Sequence, residues 1–415
     1  MSHTFSCVLL IVTALLPATF NTLAQEIDGD AAYNSPLLFL VPQAKDMTVP
    51  DWVKPGTRIT FYGMAGSVPQ GDYTIDPDAN GDLEDPITKE RYKRNDPVGA
   101  GGEGFGQWDV IAVGNHGVAL SANLYTIIKP GTPPTLLHTP LGGMLAAGAG
   151  PADLWVHPAI LQASQQFHSP SFFILRGPYQ LWQKSYDCLC IVNRTPKSYS
   201  SQAYDLKTGV LISSTSTVEG KFQSVRLEGD DAQRGNKAIV ITKFVSIRQL
   251  NTPGINGRNP VWVANLKAMQ FAGQVEYVNT FDPNIRMTFP AQMTVTFNKR
   301  GENWCMFSLQ STTQMQGMPP QTSAFSGVCG PAGAFWIDPT ALQNLQPGQV
   351  LDDDPVTHVR TTVIANNGQQ VGIQIQGPGV GGQVFYDLNS GRLEGLVSQN
   401  PSTGMTTTFR LQGVQ

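Results

Sequence analysis

The sequence predicts a mainly β protein, built as two tandem homologous antiparallel β-sheet domains with one or two short helices each. Three observations predict it. The first is an internal repeat. Trp155-Val156-His157-Pro158 returns as Trp336-Ile337-Asp338-Pro339, each copy following a Gly-Pro-Ala. Tyr204-Asp205-Leu206-Lys207-Thr208-Gly209 returns as Tyr386-Asp387-Leu388-Asn389-Ser390-Gly391. Val225-Arg226-Leu227-Glu228-Gly229 returns as Phe409-Arg410-Leu411-Gln412-Gly413, and Trp52-Val53 with Phe61 and Gly63 returns as Trp262-Val263 with Phe271 and Gly273. The second is a run of short β-branched and aromatic stretches bounded by Gly, Asn or Pro. The third is abundant Gly (42) and Pro (30), which favours turns over long helices.

In chain order, Phe5 to Leu16 is apolar, Pro17 breaks it, and Thr22-Leu23-Ala24 reads as a cleavage site. Residues 1–24 are therefore expected to be a signal peptide, although the leading segment lacks Lys and Arg. The first β-rich repeat is assigned to 25–229, with its matched core starting near Val49. It carries an Asp/Gly-rich insert at about 64–106, because Trp52 and Trp262 stand 210 positions apart but Trp155 and Trp336 only 181. A joining segment follows at 230–259, containing the alternating run Ala238 to Leu250. The second β-rich repeat is assigned to 260–415. Strands are expected at Arg58–Tyr62, Trp108–Val113, Val118–Tyr125, Phe172–Leu175, Val210–Thr217, Met293–Phe297, Trp304–Leu309, His358–Ala365 and Met405–Gln412. Short helices are expected where Asp338 caps and Pro339 takes the first position, and at the matching His157-Pro158. Gly99 to Gly106 reads as a flexible connector and Leu141 to Gly150 as a mobile surface loop.

Charge is sparse, at 14 % of residues with a net of −4, and forms no basic stripe. Nucleic acid is excluded as a partner on that ground. No segment after the signal is long and apolar enough to span a membrane, so no transmembrane segment is expected after cleavage. The expected location is periplasmic or extracellular. Four cysteines remain beyond Cys7, and export favours a Cys305–Cys329 bridge within the second repeat. Cys188 and Cys190 are two apart on a strand, so they share a face.

Asp76, Asp78, Asn80 and Asp82, with Gly81 between the last two, place oxygen ligands at alternate positions around a sharp turn. This resembles the Asp-x-Asp-x-Asn-Gly calcium loops, and calcium is the one cofactor the sequence points to. Ile87 stands where an EF-hand has its bidentate Glu, so the resemblance stops short of that family. The Trp-x-(His/Asp)-Pro block offers Trp155, His157, Trp336 and Asp338 as candidate ligand-binding residues at the junction of the repeats. A core plug with a helix cap explains the same block. Nucleophile elbows, His-Glu-x-x-His and phosphate loops are missing from the sequence. The reading is thus an exported, non-catalytic binding or structural protein of the envelope or extracellular space. Its partner is an unknown ligand or envelope component, with a hydrophobic ligand or glycan at the junction. The alternative is an extracellular hydrolase acting on a polymer, whose carboxylates can pair across a fold without leaving a local trace.

Overall fold

The structure is a computed structural model that describes residues 48–69, 99–114, 117–127, 131, 134–146, 154–194, 199–220, 236–279, 282, 284–314, 317, 319–400 and 404–415. The signal segment, the acidic loop at 76–82 and the block at 225–229 lie outside these residues. The fold is mainly β, with two ten-stranded antiparallel sheets and a few short helices.

The first sheet holds β1 (Thr57–Pro69), β2 (Gly99–Val113), β3 (Gly117–Ile127), β4 (Thr135–Ala146), β5 (Phe167–His168), β6 (Phe172–Leu181), β7 (Lys184–Arg194), β8 (Tyr199–Asp205), β9 (Leu211–Gly220) and β10 (Asn236–Gln249). The second holds β11 (Ala268–Val278), β12 (Arg286–Arg300), β13 (Cys305–Thr313), β14 (Gln321–Cys329), β15 (Val350–Asp353), β16 (Arg360–Asn366), β17 (Gln370–Gly377), β18 (Val380–Asp387), β19 (Leu393–Asn400) and β20 (Met405–Val414). The strand orders are the same: β4-β3-β2-β1-β10-β9-β8-β7-β6-β5, and β14-β13-β12-β11-β20-β19-β18-β17-β16-β15. Register shifts also recur in matching places. The β1/β10 pairing slips between Thr60 and Phe61, and the β11/β20 pairing between Gln270 and Phe271.

This order explains the buried tryptophans. β4 and β5 lie at opposite edges of their sheet, so the chain between them must cross its face. The crossing segment carries Leu154-Trp155-Val156 and helix α1 (Pro158–Ala163), and it fills the first core. Between β14 and β15 the crossing carries Phe335-Trp336-Ile337 and helix α2 (Pro339–Leu342), and it fills the second. Each crossing is hydrogen-bonded to the end of one strand. Val156 N donates to Gly209 O at 2.9 Å, and Ile337 N to Gly391 O at 2.8 Å. A Cβ on Gly209 would stand 2.0 Å from Val156 O, and one on Gly391 1.9 Å from Ile337 O. Only glycine admits so close a crossing, and both residues have positive φ.

The sheets face their own crossings with alternating residues. On β12, Ala291, Met293, Val295 and Phe297 are buried while Gln292, Thr294 and Thr296 are exposed. Burying each large apolar side chain contributes roughly 1.5–3 kcal/mol.

Three expectations change. Gly99 to Gly106 forms the start of β2 rather than a connector. A Cβ at Gly104 would lie 1.9 Å from Tyr125 O, so glycine there serves close strand approach, not looseness. Residues 141–146, expected in a mobile loop, belong to β4. The strand expected in the joining segment is β10, which closes the first sheet beside β1. β10 is therefore the topological counterpart of β20, the place the sequence match gives to Val225–Gly229.

Candidate functional site

The four ligand-binding candidates divide between the two cores. Trp155 and Trp336 are each fully buried, in separate clusters. Each meets a second indole edge-on: Trp52 at 5.7 Å from Trp155, and Trp262 at 5.9 Å from Trp336. The partner indoles are pinned alike. Trp52 Nε1 donates to Thr208 O at 2.6 Å and Trp262 Nε1 to Ser390 O at 2.9 Å. His157 Nδ1 accepts from Ala159 N at 3.2 Å and so caps α1. Burial lowers the pKa of His157, against an opposing pull from Asp51, so the ring stays a neutral acceptor at pH 7. Asp338 accepts from Thr340 N at 2.9 Å and caps α2; it also accepts from Arg258 N at 3.3 Å. A Cβ on Gly257 would stand 2.5 Å from the Asp338 carboxylate, so this aspartate seats the joining segment.

The junction between the sheets is filled by an ion cluster that the sequence reading missed. On the side of β1, β2 and β10 away from the first core stand Arg58, Asp109 and Arg248. The turn after β15 brings Asp352 and Asp354 against them. Arg58 grips Asp109 with two bonds, of 2.6 and 2.7 Å, and reaches Asp354 at 3.2 Å. Arg248 binds Asp352 at 2.5 and 2.9 Å and Asp354 at 2.5 Å. Gln107 Nε2 donates to Asp354 at 2.9 Å. The other Asp354 oxygen accepts from Val356 N and Thr357 N at 2.9 and 2.8 Å. Burial by itself would raise the Asp354 pKa. The bond from Thr357, then those from Arg248, Arg58 and Gln107, outweigh it and hold the carboxyl well below the usual range. Burial would likewise lower Arg58, but Asp109 and then Asp352 keep it fully charged. Burial pushes the Tyr125 phenol up to about 12. The carboxylates that converge here are thus held by arginines, and Asp354 is 1 % exposed. Neither of these conditions suits a general acid or base on a polymer. Beside the cluster, Ile111, Ala112 and Ala119 pack on Trp304, Met306 and Val328 and close the junction with an apolar patch.

Among the described residues the four cysteines are free thiols, so the Cys305–Cys329 bridge expected from the sequence is not formed. Cys305 and Cys329 are register partners on β13 and β14, and Cys188 and Cys190 share the core face of β7. Burial pushes Cys305 up to about 11 and Cys188 and Cys329 higher, so none is a reactive thiolate.

The best candidate for ligand binding lies on the core face of the second sheet, beyond its plug. Alternation along β11 puts Phe271, Gly273, Val275 and Tyr277 on that face. Register sets Val275 beside Phe289 and Thr407, and Tyr277 beside Met287 and Met405. Burial fades along this series. Phe271 and Val275 are buried, Phe289 and Tyr277 are half-buried, and Met287 and Met405 are 44 % and 39 % exposed. Val384, Leu396 and Phe325 are partly buried apolar neighbours packed on the same core. The result is an apolar strip on three adjacent strands that runs from the filled core out to solvent, with the Tyr277 and Thr407 hydroxyls as polar groups. A Cβ on Gly273 would fall 1.7 Å from Thr408 O, so this glycine lets β11 and β20 approach closely along the strip. No strand was expected at 268–278 from the sequence, where only Phe271 and Gly273 were noted as part of the repeat.

No known family and no curated protein matches the chain. Among solved structures it is similar to MucB in complex with MucA(peri), at 7 % identity and a TM-score of 0.22, covering 93 % of this chain and 94 % of that one. It is also similar to the MucA/MucB complex of Pseudomonas aeruginosa, at 8 % identity and a TM-score of 0.20, covering 91 % and 93 %. At such scores neither likeness carries an argument about fold or role. Among the described residues no helix is long and apolar enough to cross a membrane.

Proposed function

We propose that this chain is an exported, non-catalytic binding protein of the cell envelope or extracellular space, that the apolar strip of the second sheet forms a trough, and that its ligand is a flexible alkyl chain lodged there. One observation carries the reading: the Tyr277–Met287–Met405 row continues an otherwise filled apolar face out to solvent. Methionine side chains are unbranched and polarizable, and suit a flexible alkyl partner better than a rigid one. The junction, where the sequence placed the ligand, is packed with Arg58, Arg248 and three aspartates, so the trough is the better seat. Export rests on the apolar stretch Phe5 to Leu16. Calcium remains a proposed accessory ligand of Asp76, Asp78, Asn80 and Asp82.

The test is solvent extraction of the natively exported protein followed by mass spectrometry, together with titration of a fluorescent fatty-acid analogue. A co-purifying acyl lipid is expected, and a Met287→Arg/Met405→Arg variant should bind the analogue at least about tenfold more weakly at unchanged stability. An empty extract with equal weak binding by both proteins would sink the reading.

A further inference from the structure

A second exposed feature lies in the first sheet, at the β6–β7 hairpin. Leu181 pairs with Lys184, so Trp182 and Gln183 form a two-residue loop. Trp182 has φ 55°, and Gln183 is not among the residues with positive φ. That is the pattern of a type II′ turn, whose first central position calls for glycine. For a bulky aromatic this conformation is a genuine outlier. Most positive-φ positions among the described residues are glycine, as at Gly379 in the two-residue β17–β18 loop, yet here the chain keeps tryptophan.

The ring is not tucked away in exchange for the strain. Trp182 is 61 % exposed, the most of any aromatic side chain among the described large exposed residues. It is nevertheless fixed. Its Nε1 donates to Phe244 O on β10 at 2.9 Å, and the Tyr62 ring packs on it in a T-shaped pair with centroids 6.4 Å apart. Lys243 Nζ sits 5.7 Å from the ring centroid, and Tyr62 OH donates to Glu103. Gln183 and Lys184 are exposed beside it. The arrangement is a fixed indole, largely open to solvent, with the Lys243 ammonium over one face and Tyr62, which holds Glu103, beside it.

We propose that Trp182 is the stacking platform of a carbohydrate-binding site. A pyranose ring offers an apolar C–H face and a rim of hydroxyls. It needs an exposed aromatic face that is already immobilised, with donors and acceptors at the edges. Trp182 supplies the face that Lys243 leaves open, and Lys243 and the exposed neighbours Gln183 and Lys184 supply polar groups close by. A wholly apolar partner fits worse, because covering Lys243 would strip its water without replacing it. Backbone strain kept at an exposed residue is accounted for by a role in recognition. This site is on the other sheet from the trough and stands or falls independently of it.

The experiment uses the full chain on an array of neutral, N-acetylated and acidic oligosaccharides, with dissociation constants for the retained glycans measured by calorimetry. Trp182→Gly and Trp182→Asn both suit the turn, so both should fold, with a melting temperature at or above that of the wild type. Each should bind a retained glycan at least about tenfold more weakly, while Trp182→Phe, which keeps a ring, should stay within about threefold. The proposal is overturned if the wild type retains no glycan. It is equally overturned if both turn-compatible variants bind like the wild type, or if both melt well below it, since tryptophan would then be there to hold the hairpin.

Discussion

Arg58 and Asp109 face each other across β1 and β2; at the matching register of the second sheet stand Ala268 and Thr296. Thr60 pairs with Gln107 in the first sheet, and Gln270 with Thr294 in the second. The same face of the same topology thus has two fates. In the first sheet it carries charge and is covered by the turn after β15. In the second it carries Thr and Gln, and Gln270, Thr294 and Thr296 are exposed. The difference teaches that strand order and plug fix the inward face of each sheet, while a few outward residues decide what each sheet meets next. Inward the two are nearly interchangeable; outward they are not.

The inward likeness predicts the largest effects. Trp155→Ala and Trp336→Ala should each cost about 3–5 kcal/mol, as truncation of a buried aromatic does. The comparison is sharpened if urea unfolding gives similar losses for the two. It breaks if one is cheap, because the crossings would then not be equivalent plugs.

The outward difference predicts the next effect. Asp354→Ala should cost about 3 kcal/mol, at the low end for breaking a buried ion pair, because Arg248 keeps some solvent contact. It should also resolve calorimetric unfolding into two transitions as the sheets uncouple. The folded-state pKa of Asp354 is depressed, so its contribution is full above the unfolded value near ~4 and is lost as pH falls through the folded value. Wild-type stability should therefore decline below about pH 4, and the decline should be shallower in Asp354→Ala. A parallel decline in both proteins would remove this carboxyl from the account.

Much of the inward architecture was legible. The repeated Trp, the Asp/His-Pro caps and the Tyr-Asp turns each have a local cause, and each sits as its neighbours in sequence imply. Asp205 and Asp387 show this: each accepts from the residue three positions on, Thr208 N at 2.9 Å and Ser390 N at 2.7 Å. The sheet order was not legible, because β10 pairs with β1 across most of the first unit and no local pattern marks the partner. The ion cluster was hidden for the same reason, since Arg58 and Asp354 are 296 positions apart. A faint clue existed in Arg58 and Asp109, charges inside strand-like runs of a chain with few charges. Glycine misled in Gly99 to Gly106, where close strand approach and flexibility leave the same composition. The trough escaped because Met287 and Met405 belong to different strands, and only register puts both beside Tyr277.

The turns that hold the crossings predict a middle-sized, symmetrical effect. Gly209→Ala and Gly391→Ala each place a Cβ in the left-handed region, costing about 1–2 kcal/mol before any clash. The contacts with Val156 O and Ile337 O add to it in both sheets. Thermal unfolding of the two variants should shift alike. Unequal shifts would mean that one crossing relaxes where the other cannot.

The smallest effect tests whether charge alone makes the outward face a junction. Ala268→Arg with Thr296→Asp writes the Arg58–Asp109 pair onto the second sheet at the same register. Thr296 is exposed and Ala268 half-buried, and among the described residues no turn covers them as the β15 turn covers Arg58. An exposed cross-strand pair is worth at most ~0.5 kcal/mol, and less in salt. The double variant should therefore match the wild type within about 0.5 kcal/mol in urea unfolding. It should also stay unchanged in sedimentation, because Arg58 and Asp109 owe their value to Asp352 and Asp354 closing over them. A gain well above that figure, or association of the variant, would show that the charged pair itself suffices to recruit a partner surface.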